Sequence, residues 1–309
     1  MYWKKWYREC VLCPRECRAD RINGGKGFCG QTAELRVARA ALHFWEEPCI
    51  SGTRGSGTVF FTGCHLGCIF CQNHQISQEG YGESISVTRL AEIFMELQEE
   101  GAHNINLVSA SHYTPQIAEA LRIARKKGLA IPVVYNTSGF EKVDTLKLLD
   151  GWVDIYLTDF KFMDPALSKK YAYEEGYSFY AMKALDEMVR QVKDPVFDAS
   201  GMMEKGVIVR HLVLPGASMD SRKIIKYLYE TYGDHIYMSI MNQYTPVRTF
   251  QHYPELNQSV KKKVYENIIR YALNLGVEQA FIQEGGTVRE SFIPDFDGKG
   301  VKAKRDHTI

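Results

Sequence analysis

Apolar residues along this chain follow two rhythms that alternate. Runs at 58–61, 104–109, 131–135, 153–158, 207–214 and 236–241 are rich in Val, Ile, Leu and aromatic residues and read as short buried strands. Between them the apolar positions recur at helical spacing. Leu90, Ile93, Phe94 and Leu97 share a face, with Thr88 as the expected cap and Gly101 as the stop. Thr114-Pro115 opens a helix whose buried stripe is Ile117, Leu121 and Ala124, and Lys126, Lys127 and Gly128 mark its end. Asp164-Pro165 opens another helical region, 221–232 runs to Gly233, and 260–275 runs to Gly276. Strands alternating with helices predict an α/β fold with a parallel sheet and right-handed crossovers, either doubly wound or rolled into a partial barrel. Both architectures put the site at the C-terminal ends of the strands.

The flanks break this rhythm. Within residues 1–50, Pro14 and the glycines Gly24, Gly25, Gly27 and Gly30 imply tight turns, not long elements. Residues 51–58 are a glycine-rich lead into the first strand. From Gly285 on there is no periodicity, and a docked coil with a frayed end is expected. The expected organisation is a small Cys-rich segment at 1–50, an α/β domain at 51–284 and a tail at 285–309.

Composition narrows the setting. The formal net charge is +1, from 38 basic and 37 acidic residues, which gives no case for nucleic acid or an anionic membrane surface. No apolar run approaches the ~20 residues of a membrane span, and the first ten residues, MYWKKWYREC, lack the apolar core of a signal peptide. The expectation is a cytoplasmic protein. Its eight cysteines then read as metal ligands rather than disulfides. Cys49 stands apart and is expected to be packed in the core.

Three of the cysteines carry the strongest signal. Cys64, Cys68 and Cys71 follow the first strand directly, after Thr62-Gly63, with spacing C-x3-C-x2-C. Soft thiolates on a loop leaving a strand suit a soft metal centre. Iron–sulfur and structural zinc sites commonly take four protein ligands, yet no cysteine follows Cys71. Two occupants stay open: a cubane cluster with one iron free for a non-protein ligand, and a zinc knuckle borrowing His65 or His74. Cys10, Cys13, Cys17 and Cys29 form a second candidate metal site. Little apolar sequence lies between them, so a metal would supply missing stabilisation. Zinc, a fully ligated iron–sulfur cluster and four unmetallated thiols are all open there.

The string at 57–73, GTVFFTGCHLGCIFCQN, resembles the radical S-adenosylmethionine superfamily, in the branch related to the activating enzyme of pyruvate formate-lyase. Phe70 matches the aromatic residue usual before the third cysteine, and similar Cys-Pro-Arg-x-Cys openings occur among those relatives. The resemblance implies a partial (β/α)6 barrel carrying a small Cys-rich N-terminal segment. It implies a 4Fe–4S cluster on Cys64, Cys68 and Cys71 whose open iron chelates S-adenosylmethionine. One electron, from a flavodoxin- or ferredoxin-type donor, then releases methionine and a 5′-deoxyadenosyl radical that abstracts hydrogen. The substrate it suggests is a glycine Cα of a partner protein, a glycyl-radical enzyme. A small molecule or another peptide is the second reading, and a zinc-binding adaptor on the same fold is the third.

The same resemblance distributes roles at the strand ends. Ser109-Ala110-Ser111 stands where the activating enzymes carry Gly-Gly-Glu, whose backbone holds the methionyl amino group; Ser109 is the cofactor-binding candidate, and His112 beside it is read as a site residue. Asn136 stands in place of the aspartate that, together with the threonine matched by Thr137, helps bind a monovalent cation in those enzymes. Asp159 and Lys161 match a charged pair that contacts the cofactor, and their spacing puts both on one side of a strand. Arg210 matches an arginine near the cofactor carboxylate, which its planar fork suits. Gln243 and Tyr244 lie where those enzymes have a ribose-contacting histidine.

Overall fold

The computed structural model describes residues 2–283 and 293–303. Its strands are β1 (Arg36–His43), β2 (Ser56–Phe61), β3 (Glu83–Ser84), β4 (Ile105–Val108), β5 (Val133–Thr137), β6 (Ile155–Asp159), β7 (Val196–Phe197), β8 (Met203–Leu212), β9 (Tyr237–Met241) and β10 (Ala280–Ile282). They run in the order β10-β9-β8-β6-β5-β4-β2-β1-β3, with β7 hanging on β8. From β2 to β10 the pairs are all parallel. The sheet does not close on itself, and this open, largely parallel arrangement is the partial barrel of the radical SAM type. All six strands expected from the sequence are present. The seventh parallel strand, β10, is three residues long and too short to stand out as a pattern.

Residues on each strand alternate between two environments, as the pleat requires. Val133, Tyr135, Tyr156, Val207, Val209, Met238 and Ile240 face outward and pack with helix residues such as Leu90, Phe94, Ile117, Leu121, Ile224 and Ile268 in one large core. Val134, Ile155, Leu157 and Ile208 face inward and are plugged by Cys49, Ile50 and Met203. One step further along, the inward positions of β5, β6, β8 and β9 turn polar: Asn136, Asp159, Arg210 and Ser239. The strands thus have an apolar floor and a polar C-terminal rim.

Several local readings are corrected. The helix at Val87–Glu99 is capped by Ser86, whose side chain accepts from the Arg89 N–H; Thr88 is already inside the first turn. The helix expected from 221 begins earlier, at Ser218–Tyr232, and its Asp220 carboxylate accepts from the N–H groups of Met163 and Asp164. Residues 36–43 join the sheet antiparallel to β2 instead of standing apart with the Cys-rich segment. Burial of Val37, Ala38, Ala40 and Ala41 gives that strand its reason, which small alanines hide from a hydrophobic scan.

Of the expected tail, 293–303 docks beside β1: the Ala40 N–H donates to the Lys299 carbonyl, and Arg89 donates to the carbonyls of Val301 and Lys302. The expected frayed end, 304–309, lies outside the described residues. Cys49 is packed in the inner floor as expected. Among the described residues no helix is long and apolar enough to cross a membrane.

Candidate active site

The loop after β2 is set by a turn at Gly63 and several backbone anchors. Gly63 has φ +92°, a conformation that strains any side chain, and a Cβ there would sit 2.8 Å from the Cys29 carbonyl oxygen. The Ile69 N–H donates to the Tyr171 carbonyl, and the Gln78 amide to the Cys68 carbonyl. Phe70 is buried edge-on against Phe162, Tyr171 and Tyr244, which holds the chain between Cys68 and Cys71. The Leu66 N–H points at the Cys64 sulfur, 3.4 Å away, and the Ser77 hydroxyl at the Cys71 sulfur, also 3.4 Å.

Cys64, Cys68 and Cys71 line one cavity of about 780 Å³ at the polar rim of the strands. Phe70, Ser109, Asn136, Asp159, Lys161 and Arg210 line the same cavity. Six positions spread over 140 residues of chain are thereby brought together with the three thiols. His65 and His74, the alternative fourth ligands, do not line it. His65 is buried, with Nε2 2.6 Å from the Phe140 carbonyl, and His74 pairs with Glu79 at 3.5 Å.

The charged groups form one connected network. Lys161 Nζ lies 2.5 Å from Asp159 Oδ2, and Arg210 Nε donates to Asp159 Oδ1 at 3.0 Å. The Arg210 fork also donates to Glu46 at 3.1 Å and to the Asn136 side-chain oxygen Oδ1 at 2.7 Å. The register of β6 against β8 places Asp159 directly beside Arg210, so the pairing is built into the sheet. Burial pushes the Asp159 carboxyl up, and the Lys161 and Arg210 charges more than offset it, holding it below the usual range. Burial likewise pushes Lys161 down, while Asp159 and then Cys68 raise it, and the ammonium form prevails. Burial raises the thiols of Cys68 and Cys71.

Ser109 has φ +59°, an uncommon conformation for a residue with a Cβ. It turns the chain at the end of β4 right at the cavity, the kind of place where strain is retained for function.

Three features escaped the sequence reading. Glu46 and Glu47 enter the cavity from the turn after β1. Glu46 accepts from Asn106 at 3.0 Å and from Asn136 at 3.3 Å besides pairing with Arg210. Burial holds both carboxyls above the usual range. Their signal in the sequence is only a pair of acids before Pro48. Glu141 is buried behind the rim, accepts from Ser111 and Thr137, and is pushed up to about 7 by burial. His112, read as a site residue, is instead buried behind the wall, with Nε2 2.7 Å from the Thr62 carbonyl. It ties the end of β4 to the start of the cysteine loop. Gln243 lines the cavity, whereas Tyr244 donates to the Leu256 carbonyl and supports Phe70.

An uncharacterized protein of Methanocaldococcus jannaschii is 27% identical over 277 residues, spanning 87% of this chain and 75% of that protein. Among solved structures, Streptococcus suis SuiB bound to S-adenosylmethionine superposes with a TM-score of 0.50 at 13% identity, over 72% of this chain and 48% of SuiB; the chain thus spans about half of that protein's length. A domain of pyruvate-formate lyase-activating enzyme from Bacteroides vulgatus gives a TM-score of 0.40 at 12% identity, over 56% of this chain and 92% of that domain. The model of the Radical SAM superfamily matches residues 58–228, from the strand that feeds the three cysteines to the helix after β8. With more than half of its length matched, this chain belongs to the radical SAM superfamily.

Proposed function

We propose that the chain is an enzyme that reductively cleaves S-adenosylmethionine and abstracts a hydrogen atom from a substrate, acting as an activating enzyme on a glycine Cα of a partner protein. Superfamily membership implies a 4Fe–4S cluster and S-adenosylmethionine, and the residues fit both. The protein's donor set at the loop is three thiols, with hydrogen-bond donors aimed at two of the sulfurs and neither nearby histidine turned toward them. Glu47 Oε2 and Ser138 Oγ are buried, belong to residues lining the same cavity and have no partner, which suits a polar ligand. When bound, the cluster and cofactor supply carbon–sulfur bond cleavage by one electron and hydrogen-atom abstraction.

The chain's own part is binding, orientation and exclusion of water. Cys64, Cys68 and Cys71 hold the cluster. Lys161 and Arg210 offer cationic donors to a carboxylate, and Asp159 fixes both in place. Three of the five N–H groups of Arg210 are already committed to Asp159, Glu46 and Asn136, which leaves its remaining edge for a ligand. Ser109 offers backbone at the rim, and Phe70 covers the loop. The observation that carries this reading is the convergence of these residues with the three thiols on one cavity. The glycyl-radical role and the flavodoxin- or ferredoxin-type donor rest on the resemblance of residues 57–73 to the activating enzymes.

Anaerobic reconstitution with iron, sulfide, a strong reductant and S-adenosylmethionine is the test. Formation of 5′-deoxyadenosine supports the reading, and its absence from iron-replete protein overturns it. Stimulation by a cell-extract fraction that loses its effect on protease treatment supports a protein substrate. Stimulation by the small-molecule fraction alone turns the reading to a metabolite.

A further inference from the structure

Arg21 is wholly buried, at 1% exposure, and has no carboxylate among its acceptors. It donates to the carbonyls of Gln31, Thr32 and His112 and points Nη1 at the Cys10 sulfur, 3.6 Å away. The neighbours able to carry negative charge are Tyr7, Cys29 and Cys10. A buried cation without an anion is costly, so the site calls for negative charge at those sulfurs.

The cysteines around it are gathered. Cys13 lies within electrostatic reach of Cys29, Cys10 and Cys17, and Cys29 of Cys10 and Cys17. The Phe28 N–H is aimed at the Cys17 sulfur at 3.2 Å, and Gly27 leaves room for that sulfur, since a Cβ there would come within 3.1 Å of it. The connecting loop is wound tightly, with Glu16 at φ +42° and Arg18 at φ +54°. Its apolar support is a satellite of Tyr7, Cys10, Leu12 and Ala33 with Trp3, Trp6 and Ile22 packed against it, small beside the main core. No three His, Cys, Asp or Glu side chains among the described residues converge on one ion-sized point. That holds equally for Cys64, Cys68 and Cys71.

We propose that Cys10, Cys13, Cys17 and Cys29 form a tetrathiolate site for a second metal centre, zinc or a fully ligated iron–sulfur cluster, whose negative charge Arg21 balances. The centre is a brace for the site loop. Arg15, between Cys13 and Cys17, donates to the carbonyls of His65, Leu66, Ala172 and Tyr173, pairs with Glu174 at 3.1 Å and lies over the Phe28 ring. Closing the four thiolates on a metal fixes the base of that clamp. The proposal stands apart from cofactor cleavage, because its readout is metal content.

The test is metal and sulfide analysis of anaerobically purified, reconstituted full-length protein. The variant Cys64→Ala/Cys68→Ala/Cys71→Ala removes the loop site. It should still hold about four irons with as much sulfide, or about one zinc, per chain; iron with sulfide identifies a cluster and zinc alone identifies zinc. A folded triple variant without metal overturns the proposal. Should that variant not fold, the parent is compared with Cys13→Ser/Cys29→Ser, with Cys49→Ser as control. Loss of one such increment in the double variant, and not in the control, upholds the site. Equal metal in all three overturns it.

Discussion

The two cysteine sets offer the same kind of donor in opposite settings. The triad Cys64, Cys68 and Cys71 sits on a loop at the rim of the parallel strands and opens onto a large cavity with charged walls. In the quartet, Cys10, Cys13 and Cys29 are buried and Cys17 is exposed, with the buried Arg21 guanidinium beside Cys10 in place of a cavity. Three thiols beside open space leave room for a further ligand, whereas four thiols, as proposed for the quartet, would complete a tetrahedral set by themselves. Both sets direct N–H or O–H donors at sulfur, so donor direction alone does not separate an open site from a closed one. What separates them is the ligand count and what lies on the far side.

The largest effect should come from removing a triad thiol. Cys68→Ala should abolish formation of 5′-deoxyadenosine and most of the iron–sulfur absorbance, because two thiolates cannot hold the site. Product at the parent rate would make triad and quartet equivalent and end the contrast.

Next is the link between the sets. Arg15→Met should lower stability by roughly 3–5 kcal/mol, since it leaves Glu174 and four backbone carbonyls without their donor. It should also slow cluster loading at the triad. A denaturant titration beside a reconstitution time course checks both, and normal loading would show that the loop is held without the N-terminal segment.

Glu141 tests how the triad's side of the molecule is supported, since the Phe140 carbonyl beside it meets His65. Folded Glu141 keeps its proton up to about pH 7, whereas an unfolded chain loses it near 4.5. The folded state therefore binds more protons between those values, and stability from this group falls as pH rises through them. Full ionisation costs roughly 3 kcal/mol. Glu141→Gln should remove that slope and be the more stable protein at pH 8. Parallel stability curves from pH 4.5 to 8 would place the carboxyl in a more polar setting.

The smallest effect concerns the cavity wall that the quartet lacks. Lys161→Met should weaken S-adenosylmethionine binding about tenfold or more, from one charge-assisted contact worth roughly 1.5–3 kcal/mol, and leave the cluster in place. Calorimetric titration beside a melting curve decides. Unchanged affinity with a lower melting temperature would make the Asp159–Lys161–Arg210 network structural.

Much of the triad's side was legible in the chain, because its signals are local. The six strands, the Gly63 turn, the cysteine spacing and the same-side pair Asp159 and Lys161 depend on period-two alternation and on neighbours within a few residues. Parallel strands ending at one rim then collect whatever polar residues stand at their ends. Which of those residues carry a role, at 109, 136, 159 and 210, comes from the resemblance of the chain to the activating enzymes and not from the pattern itself.

The remainder required the tertiary structure. Glu46 meets Arg210 across 164 residues, and nothing near Pro48 announces it. Arg15 reaches the cysteine loop across about 50 residues and the segment after Tyr171 across more than 150. In the sequence, a strand and a turn divide the quartet from the triad, which suggests independence; folding sets the Cys29 carbonyl against Gly63, one residue from Cys64. His112 shows the converse, a chemically capable side chain at the right strand end that packing turned away from the cavity. Local pattern fixes which way a strand residue points, because the pleat has a period of two. Which distant carbonyl or carboxylate waits there is fixed by how the layers close, and that is a property of the whole core.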